Sequence, residues 1–201
     1  MKQYKANVIA EVSNVLGEGP VWDNNTDCLY WVDILGNKIY RLDALRNHVS
    51  WIEVNAYPST IILTKNHTMI ITAIDIIAEL PLFVFDESQG AEVDMYDSKI
   101  YHHSHRFLGK SEKDSITRRF NDGKADASGR LWLGTMAIEQ NIGKNQGGLY
   151  CLDFKQANPE LKLKIGETTI SNGLCWDNKR SFFYFIDTMT YEISQYKWDE
   201  T

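Results

Sequence analysis

The chain has 201 residues, of which 43% are hydrophobic and 12% aromatic, enough apolar material for one packed domain or a little more. Lysine and arginine number 21 against 27 aspartate and glutamate residues, a net charge of −6, and no stretch concentrates basic side chains. This distribution excludes nucleic acid as a partner. The first ten residues lack the apolar core of a signal peptide, and region 70–85 is too often interrupted to span a bilayer. We therefore expect a cytoplasmic protein with no membrane partner.

Short apolar strands separated by polar turns recur along the chain. In the first copy, CLYWVD at 28–33 is followed by IYRLD at 39–43, both rich in the aromatic and β-branched residues that favour strands. The repeated strands begin near positions 29, 69, 131 and 182. A spacing of about 50 residues is typical of propeller blades, and helical periodicity is nowhere sustained.

The repeat predicts an all-β chain that forms a single incomplete β-propeller domain over 1–201. The predicted blades cover about 12–50, 51–90, 118–155 and 165–201. Region 87–117 is predicted to be a long connecting loop. It contains His102, His103 and His105, which could bind a transition metal. A solvated loop is the favoured interpretation, because no cysteine or periodic carboxylate accompanies the histidines.

Three polar segments interrupt the strand pattern at points where loops would emerge from one end of a propeller. In LGEGP at 16–20, Glu18 stands between two glycines, where it could bind a hard metal ion or belong to an ordinary turn. In ISNGL at 170–174, Asn172 offers an amide oxygen suited to calcium, although Asn-Gly is also a strong turn signal. Taken singly, both segments favour the turn.

The remaining polar segment is RRFNDGK at 118–124. Its arginines offer planar forks of donors, and its asparagine can donate and accept, which suits a polyhydroxylated substrate. Asn-Asp-Gly is also a good turn sequence. On these residues alone, a turn and a binding loop are equally well supported.

Together these segments resemble the family of gluconolactonase, regucalcin (senescence marker protein) and the luciferin-regenerating enzyme. The matching motifs are GEGPVWD at 17–23, RFNDGKAD at 119–126, GTMA at 134–137, GGLY at 147–150, SNGL at 171–174 and YFID at 184–187. Their order and spacing both fit. The resemblance covers nearly the whole chain and is weakest over 57–117.

The resemblance implies a six-bladed propeller with one divalent ion at the mouth of its central channel. Calcium or zinc is the implied ion, with manganese and magnesium as alternatives. Glu18 and Asn172 match the family's metal ligands, and Arg119, Asn121 and Glu139 match residues that contact substrate oxygens. The implied reaction is hydrolysis of a small-molecule sugar lactone to the aldonic acid, in which the ion polarises the carbonyl and a carboxylate activates water.

The sequence departs from the family in one respect. A further metal-ligand aspartate, often assigned as the general base, comes from a Pro-Asp-Gly segment in a later blade, and no such segment occurs here. We expect that aspartate to lie beyond Thr201, since about four of six blades are present. Asp187 matches a separate family aspartate and is not its substitute. Open sheet edges would favour self-association or a partner chain.

Two other functions stay open on the sequence. One is a calcium-binding or regulatory protein of the regucalcin type that does not turn over a substrate. The other is an inactive truncated product or a fragment of a split gene. The three functions predict different observations. A lactonase hydrolyses a lactone, a calcium-binding protein binds the ion without hydrolysis, and an inactive fragment does neither.

Overall fold

The computed structural model describes residues 3–55, 57–85, 90–95, 99–103, 117–138 and 144–199. Within these ranges the chain forms sixteen β-strands, which confirms the prediction of an all-β protein. Short 3-10 turns occur at Leu82–Phe85 and Thr188–Thr190. No helix in these ranges has the length and apolarity needed to cross a bilayer.

The first sheet is an antiparallel meander to which one parallel strand is added. Its strands are β1 (Gly17–Asp23), β2 (Cys28–Asp33), β3 (Lys38–Asp43), β4 (His48–Val54) and β8 (Ala91–Val93). The tight turns follow from local chemistry: the Asp23 and Asp43 carboxylates accept hydrogen bonds from backbone N–H groups within the turns. Asp27, Asn37 and Asn47 adopt the left-handed conformation that closes each turn.

The other three sheets repeat the antiparallel meander without an added parallel strand. The second contains β5 (Pro58–Leu63), β6 (Thr68–Ala73), β7 (Ile76–Pro81) and β9 (Lys99–His103). The third contains β10 (Arg118–Ala125), β11 (Leu131–Ala137), β12 (Gly147–Leu152) and β13 (Lys162–Thr168). The fourth contains β14 (Ser171–Asp177), β15 (Phe182–Asp187) and β16 (Ser194–Lys197).

The strands of the first two sheets extend beyond the approximate limits predicted for these units. The first unit extends past residue 50, because β4 continues to Val54 and buries Ile52 and Val54 in the first core. The predicted loop over 87–117 contains strands, because β8 pairs with β4 and β9 pairs with β7. An edge strand presents unpaired N–H and C=O groups, which a neighbouring segment satisfies by pairing with it. His102 and His103 lie on β9, and His105 lies outside the described residues.

Consecutive sheets pack face to face through separate apolar clusters. The first cluster includes Ile39, Ile52, Met69, Ile71 and Ile76, all of them with no exposed surface. Burying side chains of this size contributes roughly 1.5–3 kcal/mol each, so these clusters dominate the stability of the fold.

The third and fourth sheets are joined by an aromatic cluster. Trp132 lies 5.5 Å from Phe183, 6.1 Å from Trp176 and 5.2 Å from Trp198 between ring centroids, in tilted or edge-to-face arrangements. The Arg130 guanidinium lies 5.4 Å from the Trp198 ring centroid. Such contacts add to the hydrophobic gain and fix the position of the fourth sheet against the third.

The first strands of the four sheets, β1, β5, β10 and β14, are neighbours in that order and bound one cavity. Each of them has a break in register at a comparable point along the strand. The breaks fall at Glu18/Val21, Pro58/Thr60, Phe120/Gly123 and Asn172/Leu174. A bulge turns side chains out of the regular alternation, so these breaks direct polar residues into the shared cavity.

Candidate functional site

The shared cavity has a volume of about 690 Å³ and brings together most of the residues that the sequence singled out. Glu18, Arg119, Asn121 and Asn172 all line it, although they come from three different sheets. Glu139, the remaining predicted residue, lies outside the described residues.

Glu18 and Asn172 occupy equivalent positions in the first and fourth sheets. Glu18 pairs with Val32, one residue before the end of β2, and Asn172 pairs with Ile186, one residue before the end of β15. Both are followed by a glycine with positive φ, +57° at Gly19 and +29° at Gly173. Glycine adopts this conformation without steric cost, so each bulge can form directly after the cavity residue.

An aspartate fixes the backbone before each of these two residues. The Asp33 carboxylate accepts hydrogen bonds of 2.8 and 3.0 Å from the two N–H groups preceding β1. The Asp187 carboxylate accepts bonds of 2.8 and 2.9 Å from the two N–H groups preceding β14. Burial alone would raise the pKa of Asp33, but its hydrogen bonds outweigh burial and lower the pKa below the usual value. Both carboxylates therefore serve the scaffold beside the cavity.

A chain of hydrogen bonds connects the cavity residues of the third and fourth sheets. Arg119 Nη1 donates to Asn121 Oδ1 at 3.0 Å. Asn121 Nδ2 donates to the Ser171 carbonyl oxygen at 3.0 Å and to Asn172 Oδ1 at 2.8 Å. Asn172 Nδ2 then donates to Thr188 Oγ1 at 2.6 Å. The side chains are thus held in one arrangement before any ligand binds.

The charged groups of the cavity influence one another. Arg119 is only 8% exposed, and burial lowers the pKa of its guanidinium, while the negative charge of Glu18 acts in the opposite direction. Glu18 itself is exposed on the cavity wall. A buried cation and an exposed carboxylate face a common space, which suits a polar ligand that carries both donors and acceptors.

Asp122 is a cavity residue that the sequence analysis did not single out. Burial raises the pKa of Asp122 and the negative charge of Glu18 adds to this, although N–H groups of Gly123 and Gly173 lower it. The Gly123 N–H donates to its Oδ1 at 2.8 Å. The position of Asp122 next to Asn121 could have identified it as a cavity residue, because a bulge lets neighbouring residues of a strand face the same side.

Ser59 and Thr60 also went unrecognised. The Ser59 hydroxyl donates to the Phe120 carbonyl oxygen at 2.9 Å, and the Thr60 hydroxyl donates to the Asn121 carbonyl oxygen at 2.8 Å. These bonds fasten β5 to β10 along the cavity wall. Both residues lie where the family resemblance is weakest, so no motif marked them.

Two oxygen donors in the cavity suit a hard divalent ion, the Glu18 carboxylate and the Asn172 amide oxygen. In the described part of the chain, no group of three or more histidine, cysteine, aspartate or glutamate residues could hold a metal ion. The two oxygens by themselves are of the donor type that an oxygen-ligated ion takes, with water or substrate as its further ligands.

Four mainly antiparallel sheets whose first strands surround one cavity define the chain as a β-propeller of about four blades in an open ring. A family described as the SMP-30/Gluconolactonase/LRE-like region matches residues 16–201, and the chain belongs to this family. Both findings confirm the expectations from sequence.

Known relatives extend beyond this chain. Regucalcin of Gallus gallus is 31% identical over 204 residues, covering 99% of the chain and 60% of that protein. YvrE of Bacillus subtilis, named for a proposed sugar lactone lactonase activity, is 30% identical over 190 residues, covering 94% and 57%. The chain thus spans 57–60% of the length of these relatives.

Solved structures give the same picture. A luciferin-regenerating enzyme superposes with a TM-score of 0.77 at 27% identity, over 93% of this chain and 57% of that one. A calcium-binding regucalcin from Agrobacterium tumefaciens superposes with a TM-score of 0.77 at 20% identity, over 96% and 57%. At this lower identity the likeness concerns the fold alone.

Proposed function

We propose that the chain forms part of a metal-dependent hydrolase that opens a sugar lactone to the aldonic acid. The observation that carries the proposal is the convergence of Glu18, Arg119, Asn121 and Asn172 on one cavity. Its family membership supports the reaction class. Because the chain spans 57–60% of its relatives, the activity is proposed for the protein in its assembled form.

Glu18 and Asn172 are the residues that would hold the ion. When bound there, a divalent ion supplies Lewis-acid polarisation of the lactone carbonyl and stabilises the negative charge that develops on its oxygen. Donors made of oxygen alone favour calcium, manganese or magnesium, since zinc sites in proteins are commonly built with nitrogen or sulfur ligands.

Arg119 and Asn121 would orient the sugar. The Arg119 guanidinium is a planar fork of donors suited to hydroxyl and carbonyl oxygens. Asn121 Nδ2 already donates to Ser171 and Asn172, so we propose that Asn121 contacts substrate as an acceptor through Oδ1. Glu139 is proposed as a further contact to a sugar hydroxyl.

The reaction itself is the addition of water to an ester. The water oxygen bonds to the carbonyl carbon, the ring C–O bond breaks, and the ring oxygen takes a proton, which gives an aldonic acid that ionises near neutral pH. We do not assign the general base to Asp122, because its carboxylate accepts hydrogen bonds from the backbone of Gly123 and Gly173. We assign Asp122 to holding the two bulges together.

Three further features of the assembled protein are proposed. The four sheets form one propeller domain, and self-association or a partner chain covers the open edges of the ring. Exposed apolar side chains on and before the edge strand β16 support this, with Tyr191 89%, Ile193 68% and Tyr196 40% exposed. A cytoplasmic location stays a prediction from the sequence.

The test is hydrolysis of glucono-δ-lactone by the purified protein, followed by proton release with and without each divalent ion. Glu18→Gln removes one negative oxygen ligand and should abolish the metal-dependent rate. Glu11→Gln, at an exposed carboxylate away from the cavity, should leave the rate unchanged.

Full activity in Glu18→Gln would overturn the assignment of Glu18. Ion binding without hydrolysis in the wild type would favour the second candidate, a calcium-binding protein without turnover. That candidate has support from the 31% identity to regucalcin of Gallus gallus.

A further inference from the structure

Thr188 is a cavity residue to which neither the strand pattern nor the motifs assigned a role. It begins the short 3-10 turn that follows β15 and lies exposed at the cavity wall. Its hydroxyl oxygen accepts the 2.6 Å hydrogen bond from Asn172 Nδ2. Thr188 therefore ends the hydrogen-bonded chain that begins at Arg119.

The direction of this chain is fixed by groups that can bond in only one way. The Arg119 guanidinium only donates, so the oxygen of the Asn121 amide must face it. The Ser171 carbonyl only accepts, so the nitrogen of that amide must face Ser171. The same nitrogen also donates to Asn172, which must present its oxygen there and its own nitrogen to Thr188.

The Thr188 hydroxyl is held at a set distance from Asn172 by the backbone. The Thr188 N–H donates to the Ile170 carbonyl oxygen at 3.0 Å, and the neighbouring Asp187 carboxylate accepts the Ile170 N–H at 2.9 Å. Both bonds join the end of β15 to the residues just before β14. A shift of Thr188 relative to Asn172 would have to break this connection.

We infer that Thr188 is a positioning residue for the ion site: it tethers the Asn172 amide nitrogen and so presents the amide oxygen to the cavity. The inference rests on the proposed function of Asn172 as a metal ligand. An amide oxygen can ligate a cation, whereas the N–H groups of a rotated amide would oppose it. Asn121 selects the orientation through the part-buried oxygen of the Asn172 amide, and Thr188 holds the nitrogen on its exposed side.

Thr188→Val removes the acceptor and keeps the shape of the side chain. We expect the dissociation constant for Ca²⁺ or Mn²⁺, measured by isothermal titration calorimetry, to rise about 10-fold, as is common when the partner of a metal ligand is removed. Thr188→Ser keeps the hydroxyl and should restore affinity to near the wild-type value. Thr190→Val is the matched control, because that hydroxyl lies on the same turn and donates to the Asp187 carbonyl oxygen.

A second measurement examines the hydrogen bond in protein without metal. The side-chain amide resonances of Asn172, identified by their loss in Asn172→Asp, should exchange with water faster in Thr188→Val than in the wild type. Unchanged exchange and unchanged ion affinity in Thr188→Val would overturn the inference.

The two proposals can fail separately. A wild type that binds the ion but hydrolyses no lactone would overturn the proposed reaction, while a 10-fold weaker Thr188→Val would still support the positioning role. Hydrolysis by the wild type together with unchanged ion affinity in Thr188→Val would support the proposed reaction and overturn the positioning role of Thr188. A wild type that binds no divalent ion would overturn both.

Discussion

At the scale of single residues, the arrangement of side chains in the cavity depends on the orientation of two side-chain amides as well as on charge. The side chains of Asn121 and Asn172 are hydrogen-bonded to each other. Arg119 and Thr188 lie at the two ends of this row of hydrogen-bonded side chains. Residues joined in this way couple energetically, so the effects of substituting them should not be additive.

Replacing Asn121 by aspartate keeps the shape of the side chain and removes its Nδ2 hydrogen-bond donor. An oxygen would then face the Ser171 carbonyl and Asn172 Oδ1, both acceptors, so we expect a loss of about 1–3 kcal/mol in the free energy of unfolding and weaker ion binding. Urea unfolding and ion titration measure the two effects. Asn47→Asp, in an exposed turn, should change neither, and equal behaviour of the two variants would contradict the amide arrangement.

Asp33 makes the stability of the protein depend on pH. Its pKa is lowered in the folded state, so its contribution is present above the unfolded value of about 4 and is lost as the pH falls through the lower folded value. We expect Asp33→Asn to be roughly 1.5–3 kcal/mol less stable at pH 7 and to lose less stability between pH 5 and pH 3. Urea unfolding across this range is the measurement, with exposed Asp27→Asn as the control.

Sequence reasoning located Glu18, Arg119, Asn121 and Asn172 because each stands in a recognisable motif. Thr188 was not found, because it lies on a 3-10 turn and its significance depends on a contact with Asn172, 16 residues earlier on β14. Ser59 was missed for the same reason, since its partner Phe120 is 61 residues away. A side chain that acts through a distant partner leaves no local pattern.

At the scale of elements, the bulge in the first strand of each sheet is the feature that forms the site. The strands themselves could be predicted from apolar runs and turn residues. The bulges could not, because a break in register depends on how two paired strands meet. The pairing of β8 with β4 could not be predicted either, because the two strands are parallel and far apart in sequence.

Gly173→Ala tests the bulge beside Asn172. A Cβ there would lie 2.7 Å from Ile186 Cδ1, on a backbone with φ of +29°. Gly129 has a φ of +82° and open space around it, so Gly129→Ala should show the conformational cost alone, about 1–2 kcal/mol. We expect Gly173→Ala to be less stable than Gly129→Ala in urea unfolding and to bind the ion more weakly. Equal losses of stability in the two variants, with unchanged ion binding, would show that the bulge accommodates the new side chain without moving Asn172.

At the scale of the whole molecule, the arrangement of blades could be predicted from the repeat and the family resemblance. The extent of the second unit could not, because β9 joins the second sheet by pairing with β7, from which a long segment separates it. The third and fourth blades are fixed by the Trp132 cluster, and their cavity residues are joined through Asn121.

The placement of Glu18 and Asn172 on the first and last of the four sheets has a thermodynamic consequence. An ion held by both would act as a reversible cross-link between the two ends of the open ring. Its binding free energy would then count as folding free energy, so chelation would loosen the molecule as a whole as well as empty one site. The concentration of the free ion would in this way add to the stability that the apolar clusters already provide.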